Sequence, residues 1–343
     1  MRIRNEIKRL LRMCGHALVG TVHDRLNHTD WQLDVVIEQN NRLAETQTAL
    51  LEASIQLVEA AGLRRYEVAV EEAGYELENP EVGLMAFLYT FLPQRRALDV
   101  GAHVGDVSQG MLEAGYEVYA FEPNPAAYRR LVERLGERAG FRAFDCALGA
   151  EEATLPLFVA EDRSPDARYG EATAYASLVE HAMPPELAFT GQVPVRVRTL
   201  EALHAEGAVP ADIGLAKIDT EGFDLDVIRG MGQHRYPVVC AEFWDRGIPF
   251  AASGLRYGLS DLVREMRGRG YGWHTVIYRI WGRPGIAFYS NHPRSVAASW
   301  GNVFFFRDFS LFREADQWCA AMLARTYFRP AKPGPASGGK RNS

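Results

Sequence analysis

Cysteine is scarce in this chain: four residues among 343, at Cys14, Cys146, Cys240 and Cys319, with no paired spacing of the kind a zinc site or disulfide framework requires. Cys146 and Cys240 fall within apolar, strand-like runs, the setting of buried free thiols in a reducing compartment, so a cytoplasmic location is expected. Long hydrophobic runs are missing too. Although 47% of the residues are hydrophobic, no stretch approaches the roughly 20 apolar residues of a membrane span. Excess positive charge is absent. A formal net charge of -6 argues against wholesale nucleic-acid binding, and no nucleic-acid partner is expected. The apolar stretch Cys14 to Gly20 is short, interrupted by polar residues and followed by no clear small-residue cleavage site, so no signal peptide is expected.

Glycine and proline are absent between residues 21 and 61, and Thr29 with Gln32 forms a capping-box pattern, which predicts a long helix from about Asp30 to Ala61. Val36, Leu43, Leu50 and Leu57 recur every seven residues, with Ile37, Ala44, Leu51 and Val58 beside them. Asn40, Gln47 and Ser54 leave one side of that seam polar. Two readings follow: packing on the rest of the chain or a second helix, and self-association as a homodimer. Ahead of the helix, Arg2, Arg4, Lys8, Arg9 and Arg12 interleave with Ile3, Ile7, Leu10 and Leu11. Such a basic amphipathic segment suits peripheral contact with an anionic membrane surface, or a solvated basic terminus. The expected organisation is a basic segment 1–28, a helical extension 29–75, a main domain 76–310, a C-terminal helix 311–328 and a disordered tail 329–343.

From residue 97 onward, strand-like and helix-like patterns alternate as in a parallel α/β sheet. Strands are predicted near 97–101, 117–121, 141–146, 213–218, 237–242, 271–279 and 300–307, and helices near 106–115, 125–136, 224–232 and 256–269. Two further β-rich pieces, 153–159 and 193–200, flank a long loop from Glu161 to Gly191, the length expected of a lid or binding element. The first strand runs into Asp99-Val100-Gly101-Ala102-His103-Val104-Gly105, and the second closes on Glu122. A glycine turn at a strand end lets a ligand approach the backbone, and an acid ending the next strand can accept from both ribose hydroxyls. The Gly-x-Gly-x-x-Gly of a dinucleotide site is not present, because His103 stands where its middle glycine would be. Asp99, expected to point into the pocket, would repel a pyrophosphate and suits a cationic amino-acid moiety. S-adenosylmethionine therefore fits better than NAD.

Lys217-Ile218-Asp219-Thr220-Glu221-Gly222-Phe223 closes a later apolar strand. Together with Asp99 to Gly105, Phe121-Glu122-Pro123-Asn124-Pro125 and Val197-Arg198-Thr199-Leu200, it resembles the FkbM family of S-adenosylmethionine-dependent methyltransferases over about residues 80 to 308. One departure is Asp145 in Phe144-Asp145-Cys146-Ala147-Leu148, where the family usually has Asn. The resemblance implies a class I methyltransferase (Rossmann-like) fold, a three-layer α/β sandwich on a mostly parallel seven-stranded sheet, here with a helical N-terminal extension. It also implies O-methylation of a hydroxyl on a small-molecule, natural-product or glycan acceptor.

Ligands of open α/β sheets sit beyond the carboxyl ends of the strands. The expected cofactor residues are therefore Asp99, Gly101, His103, Gly105, Glu122 and Asp145, the last near the adenine. The expected catalytic residues are Asp219, as base or acceptor-orienting group, with Glu221 and Glu242 as supporting acids. The same three carboxylates suit Mg²⁺. Glu221 also reads as a helix cap. Most of Trp244, Tyr271, Trp273, Tyr278, Trp281, Tyr289 and Trp300 are expected in the core, with Trp244 and the segment 281–291 as candidates to face a sugar. Competing functions are an NAD-dependent oxidoreductase, an N-methyltransferase of a small amine, and a non-catalytic scaffold recruiting partners through the long helix.

Overall fold

The computed structural model describes residues 79–163, 175–180, 186–248 and 255–326. The expectations for segments 1–28, 29–75 and 329–343 lie outside them.

Residues that can start a helix recur where the helices begin. Asn79 caps α1 (Pro80–Tyr89), Asn124 caps α3 (Pro125–Leu135), Thr199 caps α4 (Leu200–Ala205) and Asp308 caps α7 (Phe309–Met322), each side chain accepting from a backbone N–H of the first turn. Pro80 and Pro125 occupy the first helical turn, where the missing N–H costs nothing. α2 (Asp106–Ala114) instead lies between Gly105 and Gly115, both left-handed. α5 (Asp224–Gly230) and α6 (Leu259–Gly268) complete the described helices.

Nine strands form the main sheet: β1 (Arg96–Val100), β2 (Glu117–Phe121), β3 (Phe141–Phe144), β7 (Ile213–Ile218), β8 (Val238–Trp244), β9 (Trp273–Ile280), β10 (Ala287–Ser290), β11 (Ser299–Phe306) and β12 (Ala324–Arg325). Their order is β12-β10-β9-β11-β8-β7-β1-β2-β3. β3, β2, β1, β7 and β8 run parallel, whereas β11 is antiparallel to both β8 and β9. The chain leaves β1 toward β2 and β3, then returns to build β7 and β8 on the other side. That reversal between β1 and β7 opens a crevice at their carboxyl ends, which is where the site lies.

This is the class I methyltransferase arrangement, with one correction. The sheet is mixed and nine-stranded rather than seven-stranded, because β10 and β12 extend it beyond β9. β10 is four residues long and follows a glycine- and proline-containing turn, so a loop reading is natural; it becomes a strand only by pairing with β9. A second, three-stranded sheet joins β4 (Ala147–Leu148), β5 (Ala153–Asp162) and β6 (Leu187–Arg198). β5 and β6 pair over ten residues, so the long loop is shorter than expected, and Ser177 within it bridges back to Phe158.

Side chains alternate across the main sheet into two cores. Leu98, Val100, Tyr119 and Phe121 face α5 and α6, while Ala97, Val118 and Ala120 face α1, α2 and α7. Tyr271, Tyr278 and Tyr289 are buried as expected of core aromatics, whereas Trp281 is exposed.

Candidate active site at the switch point

The register of the sheet places Asp99 of β1 directly opposite Lys217 of β7. Both side chains are buried, and Lys217 Nζ lies 3.4 Å from Asp99 Oδ1 and 3.6 Å from Asp219 Oδ2. Burial alone would lower the pKa of this ammonium, but the carboxylates of Asp219 and Asp99 outweigh it and hold Lys217 above its ordinary value. Nζ also donates to the Gly101 carbonyl at 3.2 Å, and Ser108 Oγ donates to Asp99 Oδ2 at 2.6 Å. Asp99 is thus engaged inside the fold and does not line the cavity, contrary to the expectation that it points into the pocket. Its role is to seat Lys217 and the glycine turn.

Gly101 follows with φ +78°, and a Cβ there would lie 1.8 Å from the Asp219 carbonyl oxygen. The turns ending β1 and β7 touch backbone to backbone, which is why glycine is required. Gly105 serves helix packing instead. A Cβ on it would meet Leu131 and Leu135 of α3 at 2.7 Å, and the residue does not line the cavity. His103 has φ 49°, and its backbone N–H donates to Glu122 Oε2 at 2.8 Å. Asn124 N donates to the other oxygen at 2.7 Å. Two backbone donors therefore aim the Glu122 carboxyl and leave its remaining lone pairs for a ligand. Burial nevertheless raises its pKa to about 7 against those two bonds.

A cavity of about 380 Å³ opens here, lined by Gly101, His103, Glu122, Cys146, Asp219 and Glu221 among others. Asp145 is not brought in. Its side chain is exposed and pairs with Arg196 at 3.3 Å, while the chain after β3 turns inward through Cys146 to Leu148 as that segment joins the second sheet. Ala176 and Leu178, beside the Ser177 bridge, also line the cavity, and Ser177 Oγ donates to the Glu221 carbonyl at 2.6 Å. The described part of the long loop is thus a wall of the site.

At the far side, carboxylate oxygens of Asp219, Glu221 and Glu242 all lie within 4.8 Å of one another. Glu221 is not a helix cap, because α5 begins three residues later; it stands in a left-handed turn with φ 52°. Burial first, and then the Asp219 and Asp224 carboxylates, push Glu221 well above the usual carboxylate range. Burial followed by Asp219, Glu221 and Asp224 does the same to Glu242. Asp224 supports this edge from below. It accepts from Glu242 N at 2.9 Å, Thr220 Oγ1 at 2.8 Å and Tyr257 OH at 2.9 Å, while burial and Asp219 push its pKa up to about 6.

Lys217 and Asp224 are missed by a search for candidate site residues, although Lys217 carries a readable signal: a lysine in an otherwise apolar strand must find carboxylates. Asp224 carries none, since an acid in a helix's first turn is ordinary.

Residues 99–243 match the family model of the methyltransferase FkbM domain. The chain carries an FkbM methyltransferase domain. A stretch of 129 residues is 30% identical to Methyltransferase 1 of Beauveria bassiana, spanning 36% of this chain and 51% of that protein, about half its length. Among solved structures, similarity extends to the precorrin-6y C5,15-methyltransferase of Geobacter metallireducens, with 10% identity and a TM-score of 0.33 over 66% of this chain and 87% of that one. It extends also to TehB of Haemophilus influenzae, with 8% identity and a TM-score of 0.37 over 70% and 65%.

The FkbM fold implies S-adenosylmethionine, and the cavity's own chemistry fits it. Glu122 and Asp219 line the cavity, and its lysine already pairs with Asp99 and Asp219, a setting that suits a sulfonium and an ammonium better than a pyrophosphate.

Proposed function

We propose that this chain transfers a methyl group from S-adenosylmethionine to a hydroxyl of a glycan or natural-product acceptor. What carries the reading is the arrangement of one cavity between two acidic groups: Glu122, aimed by two backbone donors, and Asp219 with Glu221, behind which Glu242 stands outside the cavity lining but within 4.8 Å of both. The cofactor supplies an activated methyl on a cationic sulfur. Glu122 accepts from the ribose hydroxyls, and the glycine turn admits the amino-acid moiety beside Gly101. Asp219 lines the cavity with Lys217 as its counter-ion and takes the acceptor proton as the new bond forms, while Glu221 and Glu242, held toward their protonated forms, orient the acceptor. The choice of a hydroxyl rests on this acidic edge, because methylation of an amine needs no carboxylate base. Glycan and natural-product acceptors come from the family resemblance.

A second reading uses the same edge for Mg²⁺, since three carboxylates within 4.8 Å are the donors a hard cation takes, and such an ion would lower the acceptor's pKa. Asp219→Asn separates the two. As a base variant it lowers turnover about a hundredfold with S-adenosylhomocysteine affinity within a few-fold by calorimetry. A Mg²⁺ requirement that disappears in the variant assigns Asp219 to the metal, and equal turnover reduces it to a structural turn residue. Glu122→Ala is expected to weaken S-adenosylhomocysteine binding at least tenfold, about 1.4 kcal/mol. Tighter binding of NAD than of either adenosyl compound would overturn the cofactor assignment.

A further inference from the structure

Away from that cavity, a second one of about 700 Å³ lies between α5 and α6, and six arginines line it: Arg229, Arg235, Arg246, Arg256, Arg264 and Arg269. Only Asp261 and Glu265 oppose them in the lining, in a chain whose formal net charge is -6. The two ends differ. At one end Arg235 donates to the carbonyls of Gly232, His234 and Arg269, and Arg269 pairs with Glu265 at 2.8 Å, so those guanidiniums serve the fold. At the other end the cations are less committed. Arg256 shares Asp226 with Arg229 at 2.9 and 3.8 Å, and among the described residues Arg264 pairs with Asp261 alone, its side chain 76% exposed. Arg246 has no ion pair or hydrogen bond among the described residues, yet the backbone beside it is held firmly. Asp245 accepts from Gly247 N and Ala298 N, both at 2.8 Å, and from Ser295 Oγ at 2.5 Å, which fixes the turn presenting Arg246.

We infer that this cleft binds the diphosphate group of a ligand at the end lined by Arg246, Arg256 and Arg264. Guanidinium forks match phosphate oxygens two at a time, and three arginines from different segments leave net positive charge after Asp226 and Asp261 are counted. The cavity is larger than a single phosphate needs. Tyr257 lines the cleft, and its hydroxyl donates to Asp224 beneath the carboxylate edge. This assignment is independent of the methyl-transfer reading, since it rests on residues outside the first cavity.

Calorimetric titration of the full chain with inorganic pyrophosphate tests it. Saturable binding is expected, with phosphate at least tenfold weaker. Arg246→Ala, an exposed side chain whose loss leaves no partner unpaired, is expected to weaken pyrophosphate about tenfold while S-adenosylhomocysteine binding stays unchanged, and Arg246→Lys to retain part of it. Arg313→Ala, on α7, controls for general charge and is expected to have no effect. No saturable binding up to about 10 mM pyrophosphate, where affinity falls below roughly 3 kcal/mol, would overturn the site. So would equal affinity for phosphate, an unaltered affinity in Arg246→Ala, or binding of polyuridylate that grows with length in the absence of pyrophosphate binding.

Discussion

Glu122 shows how one side chain's surroundings decide its chemistry. Its pKa of about 7 comes from burial, only partly offset by the N–H groups of Asn124 and His103. A carboxyl whose pKa is higher folded than unfolded binds its proton more tightly in the folded state. The associated stability is fully present below about pH 4.5 and is lost as pH rises toward 7, at most about 3 kcal/mol. His274, lowered to about 4 by burial, works in the opposite direction, losing stability as pH falls below its unfolded value of 6.5. The comparison that isolates Glu122 is therefore wild type against Glu122→Gln at each pH, in which His274, Asp224 and the other buried acids cancel. Urea midpoints are expected to favour wild type by more at pH 5 than at pH 8. A pH-independent difference would show that Glu122 does not titrate in this range. Lys217 is the complementary case, a buried cation made tolerable by two carboxylates supplied by β1 and by the turn after β7.

At the scale of elements, the site exists because two turns meet. Gly101, after β1, approaches the Asp219 carbonyl so closely that alanine would place its Cβ 1.8 Å from that oxygen, and its φ of +78° is itself costly for any other residue. Gly101→Ala is expected to lose about 3 kcal/mol or more in urea denaturation. Gly207→Ala is the matched control: φ is +71°, but no atom lies within 4 Å of the new Cβ, so it should cost only about 1 kcal/mol. Similar losses at both positions would mean that backbone strain alone, and not the contact between turns, requires Gly101. The β1 and β7 motifs were both legible as glycine or acidic turns, yet neither says that it touches the other. That follows from the parallel register pairing Val100 with Ile218.

Across the whole described unit, α1 is tied to a strand 198 positions away. Arg279 of β9 donates to both oxygens of Glu81, at 2.6 and 3.0 Å, and the carboxylate is 7% exposed. Glu81→Ala leaves that guanidinium half-buried over Trp300 without its carboxylate, and about 3 kcal/mol should be lost by urea denaturation. A loss below about 1 kcal/mol would class the pair with surface ion pairs. Among the described residues no helix is long and apolar enough to cross a membrane.

The alternation of strand and helix was determined by the sequence itself, because hydrophobic runs, asparagine or aspartate caps and glycine stops are local signals read within a few residues. β1, β2, β7 and β8 were each expected to within about two residues, as were α2 and α3. The cofactor-side acid Glu122 and the cluster of Asp219, Glu221 and Glu242 were legible for the same reason, since each ends or follows such a strand. Tertiary structure decided what each acid does. Asp99 and Asp145 both read as acids near the carboxyl end of a predicted strand, yet one is buried within β1 against Lys217 and the other is exposed just past β3 beside Arg196. The sheet's nine-strand width, the short β10, the closure of Ser177 onto the site and the gathering of six arginines between two helices all depend on residues far apart in the chain. Local propensity and periodicity hold no information about such distant pairings. They arise only when the sheet register brings the partners together.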